Sequence, residues 1–161
     1  MQDLRNIYHW RRFDHRLTTS GQPTESQLED LKQIGVSHII NLGLHEHEKA
    51  LPDEAKSISD LGMTYIHIPV DFDAPTDQDF QAFKDVFEML DPHTVHVHCI
   101  ANLRVTAFLY RYAMETLKLE TKHAKAIMDT VWRPGGVWAT FIGDAESVPL
   151  EHRPPERLDR P

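Results

Sequence analysis

The segment VHVHCIANLRVTAFLYRY (95–112) concentrates the chemistry that this chain could do. A β-branched run ends in His98 and Cys99, and helix-forming residues begin within a few positions. In open α/β sheets, ligands collect at the carboxyl ends of the strands. A strand-to-helix turn also presents backbone N–H groups as a nest that suits an anion such as phosphate. The same positive field favours thiolate over thiol at Cys99. Arg104 adds a planar fork of donors for an oxyanion. A thiolate, the amides of Ile100, Ala101, Asn102, Leu103 and Arg104, and a guanidinium are what attack on a phosphate monoester requires. Taken singly, Cys99 could equally be an inert buried thiol and His98 a strand histidine satisfied by its neighbours.

Composition bounds what that segment can belong to. The chain has 161 residues, 40% hydrophobic and 26% charged, which suits one ordinary globular domain. Seventeen basic side chains against twenty-five acidic ones leave a net charge of −8, so nucleic acid is not an expected partner. Cys99 is the one cysteine, which excludes an internal disulfide and a cysteine-cage metal site. No apolar leader opens the sequence, and no apolar run approaches a membrane span. A reducing, cytoplasmic setting without membrane contact is therefore expected.

The elements that must position Cys99 alternate along the chain. Thr24 and Gln27 form a capping-box signature for a helix over 25–34, with Leu28, Leu31 and Ile34 on one face and Gly35 as its stop. VSHIINL (36–42) reads as a buried strand, 52–61 as a helix between Pro52 and Gly62, and TYIHIPV (64–70) as a strand. Thr76 caps a third helix whose Phe80, Phe83, Val86, Phe87 and Leu90 recur at helical spacing and belong to a core. TVHVHC (94–99) is the third strand, followed by helices over 103–117, 121–131 and 137–143. This alternation predicts an α/β domain over 1–147, with a central, largely parallel sheet flanked by helices. The last stretch, 148–161, holds four of the ten prolines and reads as an exposed tail.

HCIANLRVT (98–106), SGQPTESQLEDLKQIGVSHIINL (20–42), IPVDFDAPT (68–76) and WRPGGVWATFI (132–142) together resemble the protein tyrosine and dual-specificity phosphatases, closest to a bacterial branch. The resemblance implies a cysteine-dependent phosphatase that takes the phosphoryl group onto Cys99 as a cysteinyl-phosphate. It implies an upstream loop aspartate as the acid for the leaving oxygen. Asp71 and Asp73 stand 28 and 26 residues before Cys99, with Asp73 favoured by the loop residue Pro75. It further implies that His98 orients the loop, that Thr106 is the hydroxyl that bonds the cysteine sulfur, and that Arg133 supports the site from below.

The family signature places arginine six residues after the cysteine and glycine three after it, where this chain has Val105 and Asn102. Asn102 tolerates left-handed backbone next best after glycine. Arg104 stands one place early. Either the loop is one residue tighter and Arg104 reaches the phosphate, or it keeps its length and Arg104, turned by ~100° on the helix, points elsewhere.

Two other uses of these residues stay open. With Arg104 turned away, the chain would be a phosphate-binding, catalytically weak pseudophosphatase. The pairs in HEHE (45–48) and HVH (96–98), with His67 and Asp71, would suit a metal-dependent hydrolase, although strand alternation puts His96 and His98 opposite Cys99. The favoured reading needs no cofactor or metal, and its partner is a phosphorylated substrate, either a phosphoprotein or a small phosphate monoester. Seven acids against Lys84 alone in 71–91 disfavour an acidic phosphoprotein.

Overall fold

Side-chain caps start the early helices at the positions the sequence marks. The structure is a computed structural model that describes residues 2–155. Thr24 and Gln27 cap each other's backbone at the start of α1 (Glu25–Gln33). Asp53 accepts from Lys56 N at the start of α2 (Glu54–Asp60). Thr76 and Asp79 form a second capping box at α3 (Asp77–Met89). These contacts satisfy N–H groups that a helix's first turn leaves without partners. The remaining helices are α4 (Leu103–Glu115), α5 (Thr121–Met128) and α6 (Gly136–Ile142).

The sheet has five strands in the order β1 (Arg11–Arg12), β2 (Leu17–Ser20), β5 (Val95–His98), β3 (His38–Asn41), β4 (Thr64–His67). β2, β5, β3 and β4 run parallel, and β1 adds an antiparallel edge to β2. The expected α/β class and largely parallel sheet are thus what the chain has. Residues 68–70 leave the regular strand but still follow β3, with Ile68 N–H donating to Asn41 O and Val70 N–H to Leu42 O.

A parallel sheet buries both faces, and strand alternation decides what each face carries. Val95, Val97 and Cys99 point into a core with Leu17, Ile40, Leu42 and the phenylalanines of α3 and α4. Fully burying one such ring, for example Phe83 or Phe108, contributes about 1.5–3 kcal/mol. Ile39 on the other face meets Leu28 and Leu31 of α1, Ile58 of α2, and Ile7 and Trp10 of the N-terminal segment. His96 and His98 share that second face.

The stretch after α6 pairs back onto the domain. Arg153 and Arg133 exchange backbone hydrogen bonds at 2.9 and 3.1 Å, and His152 Nδ1 accepts from Gly135 N–H. Most side chains over 148–155 are exposed, but their backbone is tied down, and residues 156–161 lie outside the described part. Arg133 Nε donates to Pro154 O, so its guanidinium holds this stretch rather than the underside of the cysteine loop.

Candidate active site

β5 delivers Cys99 to the carboxyl edge of the sheet, and α4 begins four residues later. Asn102 closes the turn in left-handed backbone, φ 65°, and offers α4 no side-chain cap. Its amide is used otherwise: Nδ2 donates to His9 O at 2.9 Å and to Thr19 Oγ1 at 3.0 Å, tying the loop to the N-terminal segment and β2. His9 Nδ1 donates to Ala101 O at 2.8 Å from the same segment. Gly21 completes the seat, because a Cβ there would lie 2.5 Å from Ile100 O. Among the described residues, the backbone N–H groups of Ile100 through Arg104 have no acceptor. They are five donors without partners in a loop held rigid from behind.

Cys99 is a free thiol, 1% exposed, at the floor of a cavity of about 430 Å³. Ile100, Ala101, Leu103 and Arg104 form one wall, and Asp71, Phe72 and Asp73 form another. Arg104 lines this cavity, whereas Val105 is wholly buried. Arg104 Nη1 donates to Val70 O at 2.9 Å, and its guanidinium carbon lies 5.7 Å from the Phe72 ring centre. Val70 and Phe72 thus aim the fork, which retains donors beyond the one bonded to Val70.

Phe72 also anchors the segment that carries the two aspartates. Trp138 Nε1 donates to Phe72 O at 2.6 Å, and the Phe72 ring packs on Trp132, Trp138 and His152. The aspartates differ. Both are exposed and line the cavity, but Asp71 Oδ1 accepts from Asp73 N–H at 2.9 Å and so shapes the turn, whereas the Asp73 carboxylate has no hydrogen bond among the described residues.

Thr106 departs from expectation. Its hydroxyl donates to Asn102 O at 2.9 Å, with Leu103 O at 3.1 Å, and accepts from Trp132 Nε1 at 3.2 Å. No hydrogen bond joins it to Cys99 Sγ among the described residues. Thr106 lies in the first turn of α4, where its hydroxyl bonds its own helix backbone.

His98 reaches the site through the backbone. Its Nδ1 lies 2.9 Å from Cys99 O, and its Nε2 lies 2.6 Å from Glu54 Oε2. Glu54 Oε1 accepts from Gln22 Nε2 at 2.8 Å. Burial is the largest influence on Glu54 and pushes its carboxyl up. The charge and hydrogen bond of His98, the Gln22 bond and the charge of His45 outweigh it and hold the group below the usual carboxylate range. Sequence reasoning missed Glu54 and Gln22. Glu54 stands in an ordinary acidic helix start, and nothing in its spacing points 44 residues ahead to His98.

The histidine pairs do not converge. His45 stacks on His67 with ring centres 3.8 Å apart and meets Tyr65 Oη at 2.7 Å, while His47 Nδ1 accepts from Lys49 N–H. Among the described residues, no group of three or more His, Cys, Asp or Glu side chains is placed to hold a metal ion. No helix there is long and apolar enough to cross a membrane.

This arrangement has relatives. The family described as DSP-PTPase phosphatase fused to NAD+ kinase matches residues 6–132. The chain belongs to that family. It is a phosphatase of the tyrosine/dual-specificity type, as the cysteine loop implied. A phosphatase-like DUF442 protein of Shewanella putrefaciens CN-32 superposes with a TM-score of 0.77 at 31% identity, over 89% of this chain and 96% of that one. A second structure of that protein gives 0.70 at 33% identity, over 79% and 83%. A Cys-to-Ser form of TpbA from P. aeruginosa, in complex with pTyr, shares the fold at a TM-score of 0.61 and 15% identity, over 75% and 72%. Among curated proteins there is no match.

Proposed function

We propose that the protein hydrolyses a phosphate monoester through a cysteinyl-phosphate on Cys99. The observation that carries this reading is the set of five consecutive N–H groups, 100–104, with no acceptor among the described residues, in the loop that borders the Cys99 cavity. Phosphoryl oxygens would accept from these amides and from the Arg104 donors that Val70 leaves free. The Cys99 thiolate attacks phosphorus, forming the S–P bond as the ester P–O bond breaks, and Asp73 gives its proton to the departing oxygen. Water then attacks phosphorus and yields its proton to the Asp73 carboxylate. The S–P bond breaks, and inorganic phosphate leaves. Asp73 takes the acid's part because one oxygen of Asp71 is engaged by the Asp73 N–H, while the Asp73 carboxyl has no hydrogen bond among the described residues.

An aryl phosphate is the substrate class to try first, since TpbA of this fold binds pTyr. Glu46, Asp71 and Asp73 at the rim disfavour a strongly acidic one. Turnover of p-nitrophenyl phosphate tests the reading. Cys99→Ser is expected to abolish it, and Asp73→Asn to slow it by about 10²–10⁴-fold. Equal rates in wild type and Cys99→Ser overturn it.

A second reading, phosphate binding with weak turnover, draws on Val105 and Thr106. Neither offers the sulfur a hydroxyl when it must leave in the second step. One nitrophenolate released per chain, followed by a slow steady rate, marks that case.

A further inference from the structure

The chemistry above makes no use of the buried carboxylate of Glu54, which is 4% exposed at the start of α2. We propose that Glu54 is a positioning residue. It keeps His98 an imidazolium that donates from both ring nitrogens, so that Nδ1–H holds the Cys99 carbonyl and a positive charge stands beside the nucleophile. The proposal rests on the cysteine-phosphatase reading of the site.

The hydrogen-bond inventory leads there. Cys99 O can only accept, so His98 Nδ1 carries a proton. Nε2 faces Glu54 Oε2 at 2.6 Å, so a proton lies between them as well. It belongs either to an imidazolium beside a carboxylate or to a neutral ring beside a carboxylic acid. Gln22 decides between these, because its N–H donates to Glu54 Oε1 and favours the ionised carboxylate. The direction of the Glu54 shift, downward despite burial, agrees.

The surroundings supply no competing anion among the groups that face the pair. His45, from the loop after β3, adds positive influence on Glu54. Tyr65 and His67, on β4, both feel the Glu54 charge, and burial together with that charge raises Tyr65 to about 12, so it stays neutral. His96, next on the same face of β5, is held neutral mainly by burial and then by the charge of His98. Glu46 acts on His67 further out. Among the described residues, Glu54 is thus the one carboxylate within hydrogen-bond reach of the His98 ring.

Cys99, as the one cysteine, makes the test clean. In Glu54→Gln, the Gln22 N–H requires the new amide oxygen, so the new NH₂ must face His98 Nε2 and can pair only with a neutral ring. Ring ¹⁵N NMR of folded wild type at pH 7, assigned by signal loss in His98→Gln, is expected to show two protonated nitrogens for His98 and only one in Glu54→Gln. Iodoacetamide is expected to alkylate Cys99 of Glu54→Gln at least threefold more slowly than wild type at pH 6, with rates converging at pH 9. Glu54→Asp, which keeps the charge, should recover part of the pH 6 rate.

A merely structural role would slow alkylation equally at both pH values and give Glu54→Asp no advantage over Glu54→Gln. That pattern overturns the proposal. So does a single protonated nitrogen on His98 in wild type, a measurement that stands even if the variants fail to fold. None of these readouts needs turnover. An inactive wild type would therefore sink the phosphatase reading alone, and an unchanged Glu54→Gln profile beside Cys99-dependent turnover would sink the Glu54 assignment alone.

Discussion

His96 and His98 stand two residues apart on β5, on one face of the sheet, and neither is exposed. Their partners are opposite in kind. His96 Nε2 lies 2.8 Å from Ser20 Oγ, and Ser20 already donates its one proton to Gly21 O at 2.7 Å. Nε2 must therefore donate to Ser20, which leaves Nδ1 as the acceptor of the Thr18 hydroxyl at 2.9 Å. That ring is fully paired while neutral, stacked on Trp10 at 5.4 Å between centres. His98 instead faces a carbonyl and a carboxylate, which can only accept unless one of them binds a proton. Burial alone makes a histidine a neutral core residue, and a buried acceptor on each side is what makes one a cation. The two rings have the same residue type, strand and exposure, so the difference comes from α2 and from the loop carbonyl.

Removing the carboxylate attacks this difference most strongly. Glu54→Leu leaves His98 with a buried Nε2 that has no partner, and breaking a buried pair of this sort costs about 3–5 kcal/mol. Urea unfolding of wild type and variant measures it. A cost below about 1 kcal/mol would mean that His98 does not depend on the Glu54 carboxylate.

These partners show what the sequence could and could not disclose. The capping box at Thr24, the cap at Thr76 and the alternation of Val97 and Cys99 against His96 and His98 depend on residues within a few positions of one another, and these are present as read; the reciprocal partner Asp79 at Thr76 is an addition of the structure. β2 escaped notice because LTTS is mostly polar and has no strand-like hydrophobic run, although all four residues are buried. Thr18 and Ser20 are buried as partners of His96, 78 and 76 residues away, a demand that only the β2–β5 pairing creates. The Arg104 alternatives had the same origin. Spacing fixed the residue but not the loop length, and Val70 and Phe72, which aim the guanidinium, come from another segment. The Thr106 hydroxyl is likewise taken by its own helix backbone and by Trp132, a partner 26 residues away.

Acid titration separates the two histidines by a smaller effect. The folded-state value of His96 lies well below 6.5, owing first to burial and then to the nearby His98 charge. Below pH 6.5 the unfolded chain binds a proton there and the folded chain does not. Stability must therefore fall on acidification, at about 1.4 kcal/mol per pH unit for one proton. His38, His67 and His152 are also lowered and contribute in the same window. Only a difference experiment isolates His96. His96→Asn should be less stable than wild type at pH 8 but lose less stability between pH 6.5 and 5. Glu54 acts later with the same sign: its stabilisation is present above its ordinary value of 4.5 and is lost as pH falls through its lower folded value. Parallel curves for wild type and His96→Asn over pH 6.5–5 would mean that His96 takes up a proton in the folded protein.

The finest distinction concerns which His96 nitrogen bears the proton. With Nε2–H donated to Ser20, Ser20→Ala orphans a buried donor, whereas Thr18→Val orphans only a lone pair on Nδ1. A buried N–H without a partner is worse tolerated than an acceptor without one. Ser20→Ala should thus cost about 2 kcal/mol and Thr18→Val about 1 kcal/mol. Urea unfolding at pH 8, where His96 is neutral in both states, gives the two costs free of proton linkage. If Thr18→Val is the more damaging, the proton sits on Nδ1 and the Ser20 hydroxyl turns from Gly21 O to Nε2. The neutral ring would then be paired through the other tautomer. His98 has no such freedom, since neither Cys99 O nor the Glu54 carboxylate carries a hydroxyl proton to turn.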